Sequence, residues 1–375
     1  MNEPSIYRPR WSRLTGFALV AIIAIGLVAS IEVLISRYGN WSVETSWRAL
    51  ANGDTTSAVS KFLQRDMPFA DALVTADRVF GWVAVGDLGP RVRKGCDGWL
   101  FLSDERVVHP RRDEVFPARL GMIERVARFL ESRGIALVVV PVPDKWRVEA
   151  QHLCGIQRPH VLADRLQKFE AGLGAHHIRV VDILTALRAL DGERYYRTDT
   201  HWNERGARRA AEAIAAALRG WGLAPAAQLT FEVTAEPERE RVGDLIRLAG
   251  LDRVPGSMRP RGDLESPVRI KQTPKQAVGI LDEVAAPEVS VIGTSYSRRG
   301  GFIGFMSLAL EAPVANMAQD GGGVFTAAID YFKNPAFTET PPRVIVWEIP
   351  ERLLDEPLAD SEQIWAETLM PRPPR

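Results

Sequence analysis

Three side chains in this 375-residue sequence have the types that acyl chemistry needs. In Thr198-Asp199-Thr200-His201-Trp202-Asn203 an acid and an imidazole stand two residues apart, just before an amphipathic helix. A carboxylate that accepts from one imidazole nitrogen fixes the tautomer, so the other nitrogen can take a proton from a nucleophile. The best nucleophile lies downstream in Val291-Ile292-Gly293-Thr294-Ser295-Tyr296-Ser297, where an apolar run stops at a glycine and hydroxyls follow. Ser295 comes after a strand-like run and before a helical one, so a helix N-terminus could aim N–H groups at an oxyanion. The stretch is not the G-x-S-x-G elbow, because Ser297 stands where the second glycine would be. Plainer accounts exist for each half alone: Gly-Thr-Ser as a turn with a helix cap, Asp199 or Thr200 as a cap, and His201 as a satisfied core histidine. The conjunction of the two stretches favours chemistry.

The elements that must position these residues read as an α/β sheet with helices on both faces. A helical stripe, Leu120, Ile123, Val126, Phe129 and Leu130, ends at Gly134, and the apolar run Ile135 to Val140 follows as a buried parallel strand. The unit recurs as a helix around Leu162 to Leu173 with a strand Ile178 to Ile183, and as a helix from Asn203 to Leu218. Residues 221–288 are Pro-rich and irregular, and the spacing predicts edge strands and an insertion there. The βαβ rhythm resumes with Val289 to Ile292, a helix after Gly301, Val314 to Asn316, a helix from Val324 to Phe332 and a strand Val344 to Ile349. Ahead of the sheet, Val92 and Trp99 to Leu102 flank Asp97-Gly98, a dipeptide that suits a tight hairpin turn.

Composition bounds the rest. Lys+Arg and Asp+Glu number 47 each, so charge argues against a nucleic-acid partner. The six histidines suggest no metal cluster, and neither metal nor organic cofactor is expected. Cys96 and Cys154 are too few for a thiolate site and leave one bridge between them open. Leu14 to Ile31 carries no charge and follows Arg8, Arg10 and Arg13. The positive-inside bias then predicts a cytoplasmic segment 1–13, an uncleaved transmembrane anchor over 14–35 and an extracytoplasmic remainder, in preference to a cleaved signal. Residues 36–90 read as a helical stem, 91–360 as the main domain and 361–375 as a tail that frays from Pro371.

Five stretches in order carry a family resemblance: Lys94 to Phe101, Pro141 to Lys145, Tyr196 with Asp199 to Trp202, Gly293 to Ser297, and Val346 to Arg352. Together they resemble the AlgJ/AlgX family of alginate O-acetyltransferases, periplasmic SGNH-hydrolase-like proteins with a flavodoxin-like parallel sheet. The N-terminal anchor, with no carbohydrate-binding module after residue 360, looks more like the AlgJ branch. The resemblance implies Ser295 as nucleophile, His201 as general base and Asp199 as its orienting acid. It also implies a circularly permuted order, since acid and base precede the serine. An acetyl donor brought by a membrane-bound O-acyltransferase partner in the inner membrane, and a polysaccharide acceptor, follow from the same likeness. The oxyanion hole is expected from Ser295 with Gly322 and Asn316 as candidates by composition. Tyr296, Arg298, Arg299 and Lys145 are candidate contacts for sugar or uronate, and Glu348 and Arg352 are expected to make structural hydrogen bonds at the end of the last strand. A carbohydrate esterase with the same three residues, or a non-catalytic polysaccharide-binding component, stays open as an alternative.

Overall fold

The computed structural model describes residues 11–36, 46–67, 70–275 and 286–369. Most of the segment assigned to the cytoplasm, and the tail from Pro371, lie outside them. The chain divides into two compact units, 1–80 and 81–375, each taken separately.

The first unit is helical. Trp11–Ser36 is one helix, and its Leu14–Ser36 part, 23 residues long, is apolar enough and long enough to cross a bilayer core at ~1.5 Å per residue. Two shorter helices follow, Trp47–Asn52 and Asp54–Asp66; Ser46 Oγ caps the first by accepting from the Ala49 N–H at 3.2 Å. The helix Ala70–Val85 leads out of this unit.

The second unit opens with a hairpin of β1 (Val92–Lys94) and β2 (Leu100–Leu102). Asp97 and Gly98 both hold positive φ, 52° and 78°, as a tight hairpin turn requires. A disulfide ties Cys96 in this turn to Cys154, with Cα atoms 5.5 Å apart.

Next come β3 (Ala136–Val142), β4 (Arg179–Val180), β5 (Leu229–Ala235), β6 (Arg239–Arg241), β7 (Asp263–Glu265), β8 (Val268–Pro274), β9 (Val289–Ile292), β10 (Val314–Asn316) and β11 (Val344–Pro350). The central sheet is parallel, in the order β10-β9-β11-β3-β4. Counted from β9, this is the flavodoxin-like order 2-1-3-4-5, with the chain cut between its third and fourth strands. That cut is the circular permutation. It places the switch point, where strand order reverses, between the carboxyl ends of β9 and β11.

All residues of β9 and β11 are buried, which explains their nearly continuous apolar sequence, interrupted by Ser290 and Glu348. Helices Glu204–Gly220 and Phe302–Leu310 cover one face of the sheet. Arg112–Glu131, Arg165–Ala175 and Thr326–Lys333 cover the other.

Three elements differ from the sequence reading. The strand expected over Ile178 to Ile183 pairs only at Arg179–Val180, because Asp182 caps a helix, Ile183–Arg188, by accepting from the Thr185 N–H at 3.1 Å. The segment after residue 220 forms two antiparallel ribbons, β5–β8 and β6–β7, and a short helix, Asp244–Leu248. Past residue 360, Asp360–Leu369 is a helix that buries Ala366 in the second core.

Candidate active site

The acid–base stretch is a tight loop at the carboxyl end of the sheet. Tyr195 bridges Trp202, and the Tyr196 N–H donates to the His201 carbonyl at 3.1 Å, so residues 196–201 fold back on themselves. The helix that follows is capped by Asn203, whose Oδ1 accepts from the Gly206 N–H at 2.9 Å. Asp199 and Thr200 are therefore free of the capping role.

Three other segments grip this loop. Lys145 Nζ donates to the carbonyls of Leu100, Arg197 and Asp199 at 2.6, 2.9 and 2.9 Å. Asp263 accepts from the Arg197 and Thr198 N–H groups at 2.6 and 3.0 Å. Asp244 accepts from the Thr200 N–H at 2.7 Å. The loop comes so close to Gly243 that a Cβ there would lie 2.1 Å from the Thr198 carbonyl oxygen. Only glycine fits at that position.

Inside this frame the Asp199 carboxylate meets the His201 ring. Oδ1 lies 2.6 Å from Nδ1 and also accepts the His201 N–H at 3.0 Å. Oδ2 accepts from the Arg241 guanidinium at 2.8 Å and the Asp244 N–H at 3.1 Å. Burial alone would raise the Asp199 carboxyl, but the imidazole hydrogen bond and charge, with Arg241, outweigh it and hold it below the usual carboxylate range. A carboxylate at Nδ1 puts the ring proton there and leaves Nε2 as an acceptor. That nitrogen is 2.7 Å from Ser295 Oγ. Asp244 is pushed up, by burial first and by Asp199 second.

The serine stretch is built by the sheet. Glu348 on β11 reaches across to the end of β9, where it accepts from the Thr294 N–H at 2.7 Å and from the Thr294 and Ser297 hydroxyls at 3.0 Å each. Burial raises the Glu348 carboxyl. A Cβ on Gly293 would lie 2.6 Å from Glu348 Oε2, so the residue between strand and turn must be glycine. The serine sits half-buried at the switch point. It heads a four-residue 3₁₀ turn, Ser295–Arg298, and the α-helix begins only at Phe302, so the helix N-terminus expected at Ser295 is absent. The turn leaves the Ser295 N–H without a protein acceptor among the described residues.

The remaining candidates part company. Lys145 is fully buried and spends its donors on three carbonyls, so it braces the loop and does not face a substrate. Burial lowers it to about 8. Tyr296 is likewise buried. Its hydroxyl donates to the Thr200 carbonyl at 2.8 Å, and its ring lies 4.9 Å from the imidazole, which makes it a support for His201. Arg298 and Arg299 are exposed and loosely paired with Asp320 at 3.4 Å each. Asn316 donates to the Ser297 carbonyl at 3.4 Å and so braces the turn. Gly322 packs toward Thr326 and makes no hydrogen bond to Ser295 among the described residues. Glu348 makes the structural bonds expected of it. Arg352 makes none among the described residues, and its guanidinium lies 5.5 Å over the Tyr296 ring.

Sequence reasoning missed Arg241, Asp244 and Asp263, single charged residues in a stretch without periodicity. Asp199, His201 and Asp244 lie close enough together to suggest metal ligation, as do Cys96, Asp97 and His152. In the first group the imidazole nitrogens are committed to Asp199 and Ser295, and in the second the sulfur is in the disulfide.

Comparison with known proteins bears on the family and the fold. Residues 92–351 match the family described as SGNH hydrolase-like domain, acetyltransferase AlgX. The probable alginate O-acetylase AlgJ of Pseudomonas fluorescens is 28% identical over 352 residues, 90% of this chain and 89% of that protein. Its counterpart from Pseudomonas syringae pv. tomato is 30% identical over 85% of this chain and 83% of its own length. Among solved structures, the O-acetyltransferase domain of Pseudomonas putida AlgJ superposes with a TM-score of 0.66 at 28% identity, covering 75% of this chain and 99% of that domain. Pseudomonas aeruginosa AlgX shares the fold with a TM-score of 0.53 at 21% identity, covering 72% of this chain and 67% of that one.

Proposed function

This chain belongs to the family of SGNH hydrolase-like acetyltransferases that includes AlgX, and from that premise we propose that it transfers acetyl groups to hydroxyls of an acidic exopolysaccharide, alginate or a similar polymer, through an acetyl-serine intermediate. The observation that carries the reading is the unbroken line from Asp199 through His201 to Ser295, with links of 2.6 and 2.7 Å, at the switch point of the sheet.

His201 Nε2 takes the Ser295 proton as Oγ attacks the acetyl carbonyl. The donor leaves with that proton, and the acetyl group stays on Oγ. A sugar hydroxyl then gives its proton to Nε2 and attacks the ester, which frees Ser295. Asp199, kept ionised by His201 and Arg241, stabilises the imidazolium formed in each half. The free Ser295 N–H supports it as one oxyanion donor.

The alginate in the relatives' names suggests a polyuronate acceptor. An apolar N-terminal helix behind three arginines supports an inner-membrane anchor with the catalytic unit in the periplasm. Acetyl groups would then reach it from a membrane-bound O-acyltransferase partner.

The test uses the full-length protein in detergent with an activated acetyl ester and an oligouronate. Acetylated sugar forming faster than free acetate is the expected outcome. Acetate alone across several acceptors would instead make the protein a carbohydrate esterase, which would use the same three residues with water as acceptor. Wild-type turnover by Ser295→Ala would end the acyl-enzyme mechanism.

A further inference from the structure

On the flank of the 196–201 loop lies a cleft of about 320 Å³ whose walls include Trp82, Lys94, Leu100, Arg197, Pro260 and Arg261. Trp82, in the last turn of the Ala70–Val85 helix, precedes the region matched by the family and takes no part in the chemistry above. Its indole is half-buried, with the Lys94 ammonium 5.2 Å from the ring centroid.

What marks this cleft is that three cations without an ion pair line one concave surface beside an indole. The chain as a whole is neutral, and arginines elsewhere, such as Arg147, Arg158 and Arg165, are locked to carboxylates at 2.6 Å. Lys94, Arg197 and Arg261 have no carboxylate within ion-pairing distance among the described residues. Arg197 gives one nitrogen to the Gly262 carbonyl at 2.8 Å, and its Nε is buried without any partner. A single carboxylate, Asp97, shares the lining. Unpaired cations around a concave aromatic surface make a site of positive potential, and such a site gains by taking up an anion.

We propose that this cleft is a binding subsite for an acidic sugar, with the pyranose face on Trp82 and its carboxylate among Lys94, Arg197 and Arg261. An aromatic face suits the C–H side of a sugar ring, and a guanidinium suits a planar carboxylate. Arg197 stands two residues before Asp199, so their Cα atoms are at most ~7 Å apart. A polyuronate seated here runs alongside the loop that carries the acid and the imidazole, and the cleft holds the polymer while a different sugar meets Ser295. The proposal rests on the acyl-transfer reading only for the identity of the acceptor.

The experiment measures binding, not turnover, on the full-length protein in detergent. The probe is a mannuronate hexasaccharide, with a neutral glucose hexasaccharide as control. Native protein should bind the acidic probe and prefer it to the neutral one, and the preference should fall steeply between about 0.05 and 0.5 M NaCl. Trp82→Ala should weaken binding about tenfold, the size of one aromatic contact. Lys94→Glu with Arg261→Glu should weaken it about a hundredfold, since two attractions become repulsions. Lys94→Gln with Arg261→Gln, paired with melting curves, guards against a charge-reversed protein that does not fold.

Absence of acidic-probe binding, or equal affinity in native and charge-altered proteins, overturns the subsite and leaves the acyl-transfer reading standing. Conversely, charge-dependent binding in a protein that transfers no acetyl group keeps the subsite and removes that reading.

Discussion

The two loops that meet at the His201–Ser295 contact are held by opposite means. The 196–201 loop is gripped by full charges from three separate segments: Lys145 after β3, Arg241 on β6 with Asp244 after it, and Asp263 on β7. The serine turn is gripped chiefly by Glu348 from the strand next door, with Asn316 as a longer second brace. In the first loop charge sets the chemistry, because Asp199 must stay ionised to hold the imidazole tautomer. In the second a carboxyl oxygen serves as a hydrogen-bond acceptor, and burial favours its neutral form. On the proposed chemistry, the loop that moves protons is held by charged side chains, and the turn that presents the serine is held by sheet geometry.

The largest test of that contrast replaces each carboxylate by its amide. Asp199→Asn offers an NH₂ or a neutral oxygen where the imidazole needs a carboxylate, so turnover of an activated acetyl ester should drop by about 10³–10⁴. Glu348→Gln can still accept the Thr294 N–H through its amide oxygen, while the Thr294 and Ser297 hydroxyls rotate to accept. Its turnover should stay within about threefold of native, a cost under ~1 kcal/mol. A large loss in Glu348→Gln at native melting temperature would give that carboxyl a charge-dependent role and abolish the contrast.

A second test weakens the framework of the charged loop. The Cys96–Cys154 bridge closes a 58-residue separation and fixes the hairpin whose Leu100 both donates to and accepts from this assembly. Replacing both cysteines with serine should cost roughly 4 kcal/mol in the chain-entropy account. Denaturant melts should show the loss, and turnover should fall with it because Lys145 donates both to the Leu100 carbonyl and to the loop carbonyls of Arg197 and Asp199. Loss of stability with turnover unchanged would show that the hairpin does not position Asp199.

Asp263→Asn probes the same side more gently. Asp263 accepts two backbone N–H groups and the Thr198 hydroxyl, so an amide there turns one acceptor into a donor facing a donor. About 2 kcal/mol of stability should be lost, with a fall in kcat larger than any rise in KM.

How much of this could be read in the chain follows the same division. Asp199, His201, Ser295 and the Asp97-Gly98 turn are legible because short-range spacing and local conformation carry them. The sheet is legible because strands buried on both faces have nearly continuous apolar runs. Arg241, Asp244 and Asp263 are not legible, since each meets the loop from 42 to 66 residues away through a segment without periodicity. Lys145 misleads because a lysine after Pro143 looks like loop surface, and only the fold brings three carbonyls to its amine. Tyr296 misleads in the same way, since adjacency to the serine in sequence puts its ring behind the imidazole and away from solvent.

The smallest effect is a pH signature of opposite sign in the two loops. The Asp199 carboxyl is held below its unfolded value of about 4, so its contribution to stability is full above pH ~4 and fades as pH falls through the folded pKa. The melting-temperature gap between native protein and Asp199→Asn should therefore be constant at neutral pH and close in acid. The Glu348 carboxyl is raised, so its folded form holds a proton that the unfolded chain releases above pH ~4.5. Native protein then loses this contribution as pH climbs above about 4.5, whereas Glu348→Gln does not, so the stability difference should move in favour of the glutamine as pH rises. Melting curves of the three proteins in steps from about pH 3 to 8 give both slopes. Parallel slopes for the two substitutions would mean that both carboxyls are used in the same protonation state, and the division between a charged loop and a neutral turn would fall.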